Sequence, residues 1–336
     1  DKGKILMEKS EEGVKAAAAE EKSEAKKPLR KKTKWTKESV VGLVILLIPL
    51  VGYLIFSGFP VVISFIIQFA DMDRFDLGSL KWNNFANFSA VFTDGRFWHS
   101  IGITLWLLAT QFVSLFIALV MAAFLSRDVK GSKIFQIIYF VPYICSTIAI
   151  SVMWMWIFDG SLQADGITRG GVLNSILGTN INWLDNPDNP ATLTWAIFVS
   201  IVWRAPGYGI VMYIAAFKAV NPALHEAAQL DGANGFQRFV HVTLPGIAPT
   251  TLYLAMAGVT AGMGIFGEAT IMAPINWDQV AGRNDMGLTS MYYIYLEGVK
   301  SARMPTAAVM SWFMFIITFI PSFLLLRWRN KKEEAL

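Results

Sequence analysis

Two charged residues stand in otherwise apolar sequence. Arg204 lies in Trp203-Arg204-Ala205-Pro206-Gly207-Tyr208-Gly209, and Glu268 lies toward the end of an apolar run that starts near residue 247. A charge at the centre of a membrane-crossing helix costs about 2.5–3.5 kcal/mol on insertion scales, so such residues mark a solute path or an ion pair by default. Pro206, Gly207 and Gly209 predict a break beside Arg204, freeing backbone groups that must face protein or a wet cavity. Arg204 pairs with Glu268, with another subunit or with backbone carbonyls, or it touches solute; Glu268 is expected nearer the outer surface. Other chemistry is excluded by spacing. His225-Glu226 begins like a zinc-protease His-Glu-x-x-His, but Gln229 stands where the second ligand belongs. Gly262, Gly264 and Gly267 have Gly-x-Gly-x-x-Gly spacing inside an apolar run rather than at a strand-to-helix turn. Small residues there thin a helix for packing or for a cavity. The sequence holds no Gly-x-x-x-x-Gly-Lys-Ser/Thr, so the chain is not its own P-loop ATPase. His99, His225 and His241 lack metal-ligand spacing, and the single cysteine, Cys145, reads as a small buried hydrophobe.

The elements that must carry these residues are membrane spans. Of 336 residues, 54% are hydrophobic and 16% charged, against about 25% charged in a soluble domain; the mean hydropathy is +0.45. An all-α polytopic membrane protein is expected, with six spans near 40–69, 100–125, 134–158, 192–216, 247–274 and 305–328. Pro49 and Pro60 predict a kink in the first. Residues 1–38 hold twelve Lys or Arg and eight Asp or Glu and cannot bury enough surface to fold alone. They read as a disordered cytoplasmic tail whose basic end meets anionic lipid. With the N-terminus inside, the inner segments carry 21 Lys or Arg and the outer loops 7. The bias puts both termini, including 331–336, in the cytoplasm. The positive balance is thus a membrane flank and not a nucleic-acid surface.

On that orientation residues 218–245 form an inner loop between the fourth and fifth spans. Asn221 is a good helix N-cap and Pro222 a good first residue, so a short helix should run to about Asp231. Gly232 permits a sharp bend. A second short helix should then place Phe236, Phe239 and Val240 on one face, with Pro245 at the entry to the next span. The product is a helical elbow presenting small and acidic residues outwards, which suits docking: Ala227 and Ala228 allow close approach, and Glu226 can meet a cation.

The same loop resembles a family signature. Glu226-Ala227-Ala228, then Gly232, then Val242-Thr243-Leu244-Pro245 follow the spacing found in permease subunits of bacterial binding-protein-dependent ABC importers, with Val242 in place of Ile. Tyr139-Phe140-Val141-Pro142 and Ala307-Ala308-Val309-Met310-Ser311 also match, and the likeness covers about 40–330, most closely in the carbohydrate-uptake branch. The resemblance implies a type I importer permease domain over 39–330. It implies that Glu226, Ala227, Ala228, Gly232, Leu244 and Pro245 couple to an ATPase. The implied partners are a second homologous permease, two ATPases that bind ATP and Mg, an extracytoplasmic solute-binding protein, and a sugar or oligosaccharide. The chain itself needs no cofactor. Positions matching the branch's sugar site are Arg204, Ala205, Tyr208, Gly258, Gly262 and Ile265, with Met263, Phe266 and Glu268 close by. Tyr208 can stack on a sugar face or bond its hydroxyls. Gly258, Gly262 and Ile265 lack the polar side chains that the branch's maltose permease carries there, which points away from maltose, toward another and conceivably acidic glycan. The elbow also serves permeases for glycerol phosphate and peptides, so a non-sugar solute remains open. An ion-coupled secondary transporter would need midplane carboxylates and usually an inverted repeat, and only Glu268 is available.

Overall fold

The computed structural model describes residues 37–126, 131–160, 170–273 and 280–333. The tail expected over 1–38 lies outside them up to residue 36, while Lys37 and Glu38 already begin a helix; 334–336 also lie outside. The chain divides into two compact units, 1–62 and 63–336.

In the first unit, α1 (Lys37–Tyr53) runs into a π-helical turn, Leu54–Gly58, and then into α2 (Phe59–Ile67), which crosses the unit boundary. Pro60 explains the widened turn, because its missing N–H leaves the carbonyl four residues earlier without its α-helical donor. In the second unit a two-residue ribbon, β1 (Ala70–Asp71) and β2 (Lys81–Trp82), precedes α3 (Ala86–Thr93) and α4 (Gly95–Leu125). A stripe on α4 is buried: Ser100, Thr104, Leu107, Thr110, Ser114, Ala118, Ala122 and Leu125. Its three- and four-residue spacing is one helix face, and its small side chains let neighbouring backbones approach.

The third expected span, 134–158, is not one helix. It consists of α5 (Ser132–Ile144) and α6 (Thr147–Phe158), bent by 99° at Cys145-Ser146. Both residues there are extended, with ψ of 152° and 130°. Cys145 is exposed at this bend and not buried as expected. Counting the bent pair once, the described residues hold six segments long and apolar enough to cross a membrane.

After the short α7 (Val172–Leu177), the fourth span comprises α8 (Ala191–Arg204) and α9 (Pro206–Ala219). The expected break at Pro206 is slight, since Ala205 keeps helical angles of −69° and −29°. Gly207 has a packing role: a Cβ there would overlap the carbonyl oxygen of Tyr139 on α5. Gly207→Ala should therefore lower stability by about 1–3 kcal/mol, measurable as a reduced thermal midpoint in detergent. An unchanged midpoint would show that α5 can yield.

The inner loop contains α10 (Pro222–Leu230), α11 (Gly235–Arg238), a π-helical turn Phe239–Thr243 and α12 (Leu244–Gly246). The fifth span is α13 (Ala248–Met263), broken at Gly264–Phe266, then α14 (Gly267–Met272). The long outer segment ends in α15 (Ser290–Tyr295) and a π-helical turn Leu296–Lys300; α16 (Met304–Glu333) is the sixth span. Residues 331–333, expected to lie outside the membrane domain, continue α16. Against α4 pack α9 and α13, so the fourth and fifth spans meet around it. Large apolar side chains such as Phe116, Phe315, Phe319 and Phe323 stay exposed on the outer faces of the bundle, as lipid contact requires.

Candidate functional site

The two intramembrane charges meet. A terminal guanidinium nitrogen of Arg204 donates to Glu268 Oε1 at 2.7 Å, with side chains 20% and 7% exposed. Each sits at a helix interruption: Arg204 ends α8, and Glu268 is in the first turn of α14. Glu268 reaches Arg204 although its sequence position suggested a place nearer the outer surface. A helix N-terminus also favours a carboxylate. The Arg204 Nε is buried without a hydrogen-bond partner among the described residues.

Around this pair lies a cavity of about 390 Å³, within the roughly 300–1,000 Å³ of small-molecule sites. Arg204, Ala205, Tyr208, Gly258, Ile265, Phe266 and Glu268 line it. Tyr143 stacks on Tyr208 with ring centroids 5.4 Å apart, and the Tyr208 and Tyr253 hydroxyls are 3.3 Å apart.

Two residues expected on this pathway are placed elsewhere. Met263 is buried in a core cluster with Val259, Ala269 and Tyr293. Gly262 faces α4, where a Cβ would press on Leu108 and Gln111. Its role in the structure is close helix packing, because α13 turns that face toward α4. In the other direction, Gln111, Ser114, Tyr143 and Thr147 line the cavity and were not picked out from sequence. Gln111 and Ser114, polar and three residues apart in an apolar span, were the available signal.

The inner elbow has the expected caps. Asn221 Oδ1 accepts from the Ala223 N–H at 3.0 Å, and Gly232 has a φ of +83°. Asn234 and Gln237 form a reciprocal capping box at 2.8 and 2.9 Å, a device that satisfies two helix-end donors. Arg238 donates to Gln229 at 3.1 Å and ties α11 to α10. Val242 and Leu244 pack against the buried cluster of Tyr213, Val220, Ile247 and Leu254, anchoring the elbow to the fourth and fifth spans. Glu226, Ala227, Gly232 and Pro245 are exposed, and Ala228 and Leu244 are half-buried. The outward face is not only small and acidic as expected. Leu224, Leu230 and Phe236 are 55%, 89% and 76% exposed, an apolar surface of the kind that marks a protein contact.

Ion pairs and capping bonds fix the segment between the fifth and sixth spans. Arg96 holds Asp285 with two bonds of 2.6 and 2.7 Å, Arg283 meets Asp185 at 2.6 Å, and Arg303 meets Glu297 at 2.6 Å. Tyr293 donates to Asp94, whose carboxylate also caps α4 through the Arg96 N–H. Burial pushes the Tyr293 hydroxyl well up from its ordinary pKa, with the Asp94 bond adding to it. Burial also raises the Glu297 carboxyl, against the opposing pull of Arg303.

Residues 114–331 match the family model described as the binding-protein-dependent transport system inner membrane component. The chain belongs to this family. It is a transport-system membrane component and not a catalytic enzyme. It is 27% identical over 303 residues to the probable ABC transporter permease protein YesP of Bacillus subtilis, covering 89% of this chain and 93% of that one. It is also 27% identical to the arabinooligosaccharides transport system permease protein AraP of Bacillus subtilis (82% and 84% covered). The sn-glycerol-3-phosphate transport system permease protein UgpA of Agrobacterium fabrum is 28% identical, with 73% and 79% covered. A chain of a bacterial ABC transporter involved in import of the acidic polysaccharide alginate shares the fold at a TM-score of 0.70, with 22% identity and coverage of 88% and 96%.

Proposed function

We propose that the chain is one of two permease subunits of an ATP-driven importer and forms half of the path for a neutral oligosaccharide. Both termini lie in the cytoplasm. The elbow at 221–245 docks on an ATPase subunit, and the opposite face receives solute from a binding protein. Relatives named for arabinooligosaccharide and glycerol phosphate transport bracket the solute class.

The observation that carries the choice between them is the Arg204–Glu268 pair. The cation in the cavity is already neutralised at 2.7 Å. A phosphate or uronate would have to displace Glu268, leaving a buried carboxylate without its partner, which is costly. A neutral sugar can instead bond to Gln111, Ser114 and Tyr208, and it can lay a ring face on the Tyr143–Tyr208 stack. The test is ATP-dependent uptake by the complete importer in proteoliposomes. Labelled neutral oligosaccharides should accumulate and labelled glycerol 3-phosphate should not. Uptake of the phosphate ester alone would overturn the neutral-sugar reading.

A further inference from the structure

A second cavity lies on the outer side of the first. It has a volume of about 630 Å³ and is lined by Arg96 of α4, Phe266 and Thr270 of the fifth span, Tyr292 and Tyr295 of α15, and Glu297 and Lys300 of the turn that follows. Phe266 belongs to both linings. Its backbone is irregular, with φ −137° and ψ −53°, because the fifth span is interrupted at that point. Its ring stands edge-on to Tyr295 at 5.4 Å and to Tyr292 at 6.2 Å. Phe266 is thus common to the walls of both cavities.

The geometry points to the outer cavity as a second sugar subsite, which holds the trailing rings of an oligosaccharide whose leading ring occupies the inner cavity. This inference rests on the oligosaccharide reading above. Three observations support it. First, the outer lining combines half-buried and exposed aromatic surface with polar groups, the mixture that fits a sugar's apolar C–H faces and its hydroxyls. Second, its charges are mostly spent. Arg96 is held by Asp285, and Glu297, itself an anion, is held by Arg303. The Tyr292 hydroxyl is committed to the Val280 carbonyl at 2.8 Å. The Tyr295 hydroxyl and the Lys300 ammonium have no hydrogen bond among the described residues. Such a lining offers the free Tyr295 hydroxyl and the free Lys300 ammonium to the hydroxyls of a sugar. Third, the inner cavity of about 390 Å³ is near the small end of ligand sites, so a chain of several rings needs more room than it offers.

The experiment uses the complete importer in proteoliposomes with saturating loaded binding protein, so that affinity of that protein does not enter. Maximal uptake is compared for a mono-, di- and tetrasaccharide of one neutral sugar series. Tyr295→Ala and Lys300→Ala should each cut uptake of the tetrasaccharide about fivefold to tenfold, the scale of a lost aromatic or hydrogen-bonding contact. Monosaccharide uptake should be unchanged. Tyr295→Phe, which keeps the ring, should recover most of the loss. Equal losses at every chain length would mean a structural role, and equal uptake at every length would mean no contact; either result overturns the subsite. If the unsubstituted importer takes up oligosaccharides while the variants show no length dependence, only this inference fails. If it takes up no oligosaccharide at all, the underlying solute reading fails with it.

Discussion

Replacing Glu226 with Lys should reduce solute-stimulated ATP hydrolysis by the assembled importer at least about tenfold while leaving the permease folded in the membrane. Glu226 is exposed on α10, so charge reversal there breaks no internal contact and costs little stability. The elbow keeps its shape through other residues: the Asn221 cap, the Asn234–Gln237 box and the Arg238–Gln229 bond. The effect is therefore confined to the docking face. Placing a cation where a partner presents one costs several kcal/mol at an interface. Glu226→Gln, which removes attraction without adding repulsion, should lose less. The readout is ATPase activity with and without loaded binding protein, beside a thermal midpoint for the isolated permease. Full stimulated turnover in the Lys variant would remove Glu226 from the coupling surface.

The second large effect lies in the membrane. Glu268→Ala should destabilise the permease by about 3–5 kcal/mol, because it leaves the guanidinium of Arg204 buried without its counter-charge. Arginine cannot discharge by losing a proton. Arg204→Leu should be milder, since the carboxyl left behind can take one up. The double replacement Arg204→Leu with Glu268→Leu should recover most of the stability, because a buried ion pair contributes little beyond an apolar pair of similar volume. It should still transport poorly, having lost the polar wall of the cavity. Thermal unfolding in detergent of these proteins, with Glu268→Leu alone added so that the cycle closes, gives the coupling energy. A double variant no more stable than Glu268→Ala would show that the pair is not the source of the effect.

Local chemistry made much of this legible. The inner elbow could be read residue by residue because caps act within three or four positions: Asn221 with Pro222, and Gly232 at positive φ, are local instructions. The spans could be read because their apolar runs match the bilayer. What could not be read was what the breaks do. The bend at Cys145-Ser146 follows Pro142, but its size goes with the packing of α6 on α14, which only the fold shows. The interruption at Gly264–Phe266 was visible only as small residues. That Glu268 reaches Arg204 and Phe266 lines both cavities needs the neighbouring helices. Gly262 and Met263 failed as cavity residues for the same reason, since which face of a uniformly apolar helix points inward is set by packing on α4. The exposed Leu224, Leu230 and Phe236 belong to the converse case. A helix pattern assigns such residues to a core, and only the fold leaves them bare.

On the proposed function the chain works as one part of an ATP-driven assembly and not alone. Gentle detergent purification of the native protein, with mass spectrometry of everything that elutes with it, tests that most directly. A P-loop ATPase and a second, homologous permease should appear in the same peak, and replacing Glu226 by Lys together with Phe236 by Asp should remove the ATPase while the second permease is retained. A protein that elutes alone and accumulates solute on an ion gradient without ATP would contradict it.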